Sequence, residues 1–185
     1  MKMRLFFLPV VATVFSCLLT GPVRADKVAD GSVNFTGILL GKETCTLVSS
    51  ALNVDFGTLS VDSGAMPDVL ASRPVAFHFT NCPSMTQRIL MTVSFSPFYH
   101  EDSIINDGLA DVTGSLACSN LGDMAHAGVF GCPVGNIQNG GRLSGVVHND
   151  RTLYFPLIVS LHPIKVGKFA SGTVNMTVNF TFEEM

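Results

Sequence analysis

Four cysteines, Cys45, Cys82, Cys118 and Cys132, are the side chains whose type and spacing could do chemistry; a fifth, Cys17, lies in an apolar N-terminal run. An even set of thiols in an exported chain reads as a disulfide framework. Three connectivities are possible, and the sequential one, Cys45–Cys82 with Cys118–Cys132, is the expected pairing. In the chain-entropy description such bridges would contribute about 4 and 3 kcal/mol. A metal centre would have to recruit Cys118, His126 and Cys132. Their spacing fits no common zinc pattern and the chain has no CxxC, so neither a metal nor any other cofactor is expected. His78, His100, His148 and His162 are scattered and read as surface or loop histidines.

Catalytic constellations are missing from the sequence. It contains no GxSxG, HExxH, P-loop or GxGxxG pattern. The acidic residues fall mainly in loop-like stretches, and nothing in their spacing supports a carboxylate pair of the glycosidase kind. An enzyme is therefore not expected. Three Asn-x-Thr triplets, starting at Asn34, Asn175 and Asn179, are better explained as the polar side of alternating strands than as glycosylation acceptors.

The N-terminus predicts export. Lys2 and Arg4 precede the apolar run Leu5 to Leu19, and Val23-Arg24-Ala25 offers a cleavage context before Asp26. This is the pattern of a secretory signal peptide over residues 1–25. The run is shorter than the roughly 20 residues needed to span a bilayer. Removal of Lys2, Arg4 and Arg24 takes the net charge from −3 to −6. A weakly acidic domain without a basic run is a poor partner for nucleic acid or an anionic membrane surface, and no nucleic acid is expected as a partner. The remaining 160 residues suit a single domain with its own core.

The elements that would position the cysteines are strands. From Gly172 onward, Val174, Met176, Val178, Phe180 and Phe182 alternate with Thr173, Asn175, Thr177, Asn179 and Thr181. Successive side chains of a strand point to opposite faces, so this segment has one apolar and one wet face. Shorter strands are predicted at Ser32 to Leu40, Thr44 to Val48, Leu52 to Phe56, Val75 to Phe79, Ile89 to Phe95, Gly128 to Phe130 and Thr152 to Ser160. Loops rich in Gly, Asn, Asp, Ser and Pro separate them at 60–68, 97–107 and 135–141. No segment carries a helical period. Many short strands in an exported chain imply an all-β, antiparallel sandwich.

Several motifs in order carry a resemblance. Asp30-Gly-Ser-Val-Asn-Phe-Thr-Gly-Ile-Leu-Leu is followed by Cys45-Thr-Leu, then Val54-Asp-Phe-Gly-Thr-Leu, then Phe77-His-Phe-Thr-Asn-Cys82-Pro. Val93-Ser-Phe-Ser and Leu153-Tyr-Phe-Pro-Leu precede the terminal strand, which opens on Gly172. Taken together these resemble a pilin subunit of the chaperone–usher family, near the type 1 fimbrial group of Gram-negative bacteria.

The resemblance implies an incomplete immunoglobulin-like β-sandwich, the pilin fold, lacking its final strand and completed by a donor strand. Residues 26–37 would be the N-terminal donor extension and 38–185 the pilin domain. The donor would present Ala29, Gly31, Val33 and Phe35, with Gly31 allowing close approach to the groove floor. Gly172, Val174, Met176, Val178, Phe180 and Phe182 would line the acceptor groove and the chaperone-binding surface. The expected partners are a periplasmic chaperone, an outer-membrane usher and neighbouring pilin subunits in a head-to-tail polymer. The product would be a fimbria on the bacterial cell surface, contributing to adhesion. Two departures stand out. The family usually has a penultimate tyrosine, where this chain has Glu184, so Phe182 is expected to take over its packing. The pair Cys118 and Cys132 is not general among type 1 major pilins. The alternative is a secreted carbohydrate-binding sandwich, which the absence of Trp and the presence of only two Tyr disfavour.

Overall fold

Alternation along the chain resolves into two stacked sheets. The computed structural model describes residues 26–40, 44–48, 51–61, 67–120, 127–164 and 170–185. The leader expected over 1–25, including Cys17, lies outside the described residues, as does His126. The strands are β1 (Asp26–Leu40), β2 (Thr46–Leu47), β3 (Ala51–Val61), β4 (Ala71–Thr80) and β5 (Arg88–Phe95). They continue with β6 (Val112–Cys118), β7 (Val129–Phe130), β8 (Arg142–Val146), β9 (Leu153–Pro163) and β10 (Gly172–Glu184). No helix occurs among the described residues.

One sheet has six strands in the order β3-β1-β10-β5-β8-β7, and the other has four in the order β2-β4-β9-β6. The sheets face each other through phenylalanines. Phe77 of β4 meets Phe180 and Phe182 of β10 at ring-centroid distances of 4.5 and 5.1 Å. Phe79 reaches Phe182 at 4.9 Å, and Phe155 of β9 reaches it at 5.9 Å. Tilted and edge-on contacts of this kind add to the area they bury. β5 and β10 show the period-two burial that their sequences predict. β9 turns Leu153, Phe155, Leu157, Val159 and Leu161 into the same core.

Both disulfides have the sequential pairing. Cys45–Cys82 joins the residue before β2 to the segment just after β4, with the Cα atoms 3.9 Å apart. Because Thr46 pairs with Thr80, this bridge staples the edge of the four-stranded sheet. Cys118–Cys132 ties the end of β6 to the segment after β7, with the Cα atoms 6.1 Å apart.

Two strands escape the sequence reading. β6 and β8 carry Gly114 and Gly145 on positions that face the other sheet, where an apolar side chain would have signalled burial. A Cβ on Gly114 would lie 2.6 Å from the Met176 sulfur, so any side chain there would have to displace the buried Met176.

Candidate functional site: a strand slot between β3 and β10

β10 supplies one wall of the slot. Val174, Met176, Val178, Phe180 and Phe182 are all buried, while Thr173, Asn175, Thr177 and Asn179 between them are exposed. β3 supplies the other wall, burying Val54 and Phe56. Arg73 of the facing sheet lies over the Phe56 ring, 5.8 Å from its centroid.

β1 fills the slot. It runs antiparallel to β3, pairing Val33 with Val54 and Phe35 with Leu52. It runs parallel to β10, pairing Val33 with Met176, Phe35 with Val178 and Gly37 with Phe180. Val33 and Phe35 are fully buried, while Asn34 and Thr36 stay in water. The Phe35 ring lies 5.6 Å from that of Phe180. Burying such side chains contributes roughly 2 kcal/mol each. On the outer face the Thr36 hydroxyl donates to Asn179 Oδ1 at 2.7 Å, which pins the register.

β1 holds this sheet together. Among the described strands β3 has no other neighbour in its sheet, so without β1 it would part from β10, β5, β8 and β7. Both walls would then present unpaired backbone groups beside an apolar floor, an arrangement that recruits another strand. The resemblance implies a donor strand at this position, and here the chain's own N-terminal segment occupies it. β1 reaches Leu40, past the expected donor boundary at Gly37.

The positions predicted for the donor and the groove thus share one sheet. Ala29 pairs with Gly172 and Gly31 with Val174 in the β1–β10 register. Two further residues shape the slot in roles that the sequence did not assign to them. Gly37 is a close-approach glycine: a Cβ there would stand 2.7 Å from Phe182 Cε2. Phe182 is fully buried among four other phenylalanines, Phe77, Phe79, Phe155 and Phe180, and cannot give way. Glu184 closes the far end. Its carboxylate accepts from the Cys45 amide through Oε1 and from the Thr86 hydroxyl through Oε2. Phe182 therefore packs the core while Glu184 ties the last strand to the first disulfide. The spacing of Gly31 and Gly37, six residues apart on the same face of β1, was the available signal for the second glycine.

A second concavity lies at the loop stapled by Cys118–Cys132. Asp102, Asn136, Gln138 and Arg142 are among its polar lining residues, and none of the described lining residues is aromatic. Among the described residues no group of three His, Cys, Asp or Glu side chains could hold a metal ion. No described helix is long and apolar enough to cross a membrane.

No family model and no curated protein sequence matches the chain. Among solved structures, it is similar to the P pilus rod subunit PapA, with 12% identity and a TM-score of 0.46, over 76% of this chain and 99% of that one. It is also similar to the CupB6 tip adhesin from Pseudomonas aeruginosa, with 10% identity and a TM-score of 0.45. That match covers 88% of this chain but 42% of the adhesin, so the chain spans less than half of the adhesin's length.

Proposed function

We propose that this chain is a structural pilus subunit that joins its neighbours by donating β1 and accepting a strand between β3 and β10. The observation that carries the reading is the place of β1: a terminal segment forms an interior strand on which the integrity of a six-stranded sheet depends. An interior strand supplied by a chain end can be supplied equally by another copy, and repetition of that exchange builds a polymer. The order of motifs from Asp30 to the terminal strand supports the same assignment. On this reading the leader over 1–25 directs export. A periplasmic chaperone holds the slot until an outer-membrane usher exchanges the strand, and the fibre stands on the cell surface and contributes to adhesion. The chain has no enzymatic role in this scheme.

One observation favours a second reading: β1 belongs to the same chain, so the sandwich closes on itself as a self-contained binding module would. The two readings separate on strand exchange. Purified oxidised protein, held concentrated below its unfolding temperature, should convert to linear oligomers that resist dissociation. Excess peptide copying residues 26–40 should cap those oligomers at the monomer. A monomer that neither oligomerises nor takes up the peptide would sink the pilus reading in favour of the module.

A further inference from the structure

We infer that the concavity beside the Cys118–Cys132 loop is a binding site for a saccharide that carries a carboxylate. This goes beyond strand donation. None of the described lining residues belongs to β1, β3 or β10, so filling or exchanging the slot strand leaves its walls in place.

The site is built on a loop that is held from several sides. Residues 131–141 join β7 to β8, and Cys118–Cys132 ties the start of that loop to the end of β6. Asn136 bridges to Ala117. The Ile137 amide donates to the Leu116 carbonyl, and the Ile137 side chain is buried. The Gly140 amide donates to the Val93 carbonyl, and the Asn139 amide donates to the Glu101 carbonyl. Asn139 Oδ1 accepts from the Phe95 amide. The loop is thereby fastened to β6, to β5 and to the 97–107 segment at once. Side chains on such a loop lose little freedom when a ligand arrives.

The lining carries charge of both signs. Its volume of about 470 Å³ falls within the range of small-molecule sites. Asp102 and Arg142 both line it. Among the described residues no ion pair joins them, and no hydrogen bond engages the Arg142 guanidinium or the Gln138 side chain. Asp102 accepts one long contact through Oδ2, 3.4 Å from Asn136 Nδ2. Opposite charges that share a hollow without pairing leave a donor fork and an acceptor for a third molecule. The guanidinium fork matches a carboxylate through two parallel bonds. The Asp102 carboxylate and the amides of Asn136 and Gln138 can accept from and donate to hydroxyls. A sugar acid presents a carboxylate and adjacent hydroxyls on one ring. Pro133 and the fully exposed Val134 offer an apolar rest for its C–H face. No described lining residue is aromatic, so a neutral sugar finds no ring to stack on and the carboxylate carries the selection.

The test follows amide chemical shifts of purified oxidised protein as sodium glucuronate is added. Shifts should concentrate at 131–142 and 101–103 and saturate with a Kd of about 1 mM or tighter. Glucose and acetate each carry part of the recognised chemistry and should bind about tenfold more weakly or worse. Arg142 is exposed, so its replacement should spare the fold. Arg142→Gln should lower glucuronate affinity about tenfold or more and erase the preference over glucose. Asp102→Asn should weaken glucuronate binding but keep that preference. Arg88→Gln removes an equal charge from the other end of the β5–β8 pair and should bind as the parent does. A uronate trisaccharide separates the sources. Tighter binding than the monomer assigns the site to an acidic polysaccharide and equal binding to a terminal residue, and either supports the class. Equal losses in the Arg142 and Arg88 variants would reduce the effect to net charge and overturn the site. Acetate or glycine binding as tightly as glucuronate would overturn the ligand class. Glucuronate that shifts no residue of the loop would overturn the proposal outright, while strand donation would stand or fall on its own test.

Discussion

The two sheets of this molecule are built from the same kinds of residue but closed by different means. In the four-stranded sheet every pairing is antiparallel, and a disulfide at Cys45–Cys82 fixes its β2 edge. In the six-stranded sheet one interior position is filled by the N-terminal segment, and its contact with β10 is the one parallel pairing among the described strands. Parallel neighbours need a connection that carries the chain back along the sheet. Here the whole body of the domain separates β1 from β10, so nothing local enforces their pairing. The four-stranded sheet is stapled at its edge, whereas the six-stranded sheet depends on one strand that the proposed function makes replaceable. On the proposed reading, exchange of a strand would concern the β3–β10 slot and leave the other sheet as its floor.

The most forceful way to break this contrast is to spoil the floor and wall that the sheets share. Phe180 touches Phe35 of β1 and Phe77 of β4. Phe180→Asp would remove a ring from the core and leave an unpaired charge there, a loss of more than about 4 kcal/mol. Denaturant titration should show no cooperative native state, and no strand should bind. Asn179→Asp, one residue away on the exposed face, should change stability by less than about 0.5 kcal/mol. Similar losses for the two variants would mean that β10 does not divide its faces between core and water as described.

The two disulfides sharpen the contrast further. Replacing Cys45 and Cys82 by Ser should cost about 4 kcal/mol and loosen the link from which β1 enters the slot. Peptide uptake should then accelerate, because the Cys45 amide that meets Glu184 is no longer anchored. Replacing Cys118 and Cys132 by Ser should cost about 3 kcal/mol and leave the rate of uptake unchanged. Unfolding curves give the first quantity and fluorescence of a labelled 26–40 peptide the second. Equal acceleration in both variants would show that general destabilisation, not the anchor at Cys45, governs release of β1.

Much of this was legible in the sequence because the slot is made of strict alternation. Val33 and Phe35 on one side, and Val174 to Phe182 on the other, announce buried faces without any knowledge of pairing, and burial follows that pattern residue by residue. The cysteine pairing also follows sequence order. β6 and β8 were not legible, since a buried glycine is silent in a hydrophobic pattern and the close contact that demands it is long-range. Direction was equally hidden. A period of two reads the same forwards and backwards, so the sequence could nominate β1 for the slot without saying which way it runs. The parallel sense appears only in the register of β1 with β10. The work of Glu184 was hidden for a related reason, because its partners Cys45 and Thr86 lie 139 and 98 residues away in sequence.

The smallest expected effect lies in the fixed half, at the turn that leads into β9. The Thr152 hydroxyl donates to Asp150 Oδ1 at 2.7 Å and the Thr152 amide donates to the same oxygen at 3.1 Å. The hydroxyl bond is the first cause holding the Asp150 carboxyl below its ordinary value of 3.8, with the Thr152 amide and the His148 charge acting in the same direction and desolvation opposing them. A carboxylate depressed by folding stabilises the native state above its unfolded value, and that contribution is lost as pH falls through the folded value. Asp150→Asn should therefore lower the melting temperature slightly at neutral pH, and the difference from the parent should vanish as the pH is taken well below 3.8. The carboxylate is fully exposed, so water screens the effect and the shift should be the least of those proposed here. Its diagnostic value lies in the slot. The turn abuts the first disulfide through the Cys82 amide, which donates to the Arg151 carbonyl, and no hydrogen bond among the described residues joins it to β1 or β10. Uptake of the 26–40 peptide by Asp150→Asn should match the parent at every pH. A pH-dependent change in uptake would mean that the fixed sheet transmits its loops' electrostatics to the slot, and the division between a rigid half and a replaceable strand would have to be abandoned.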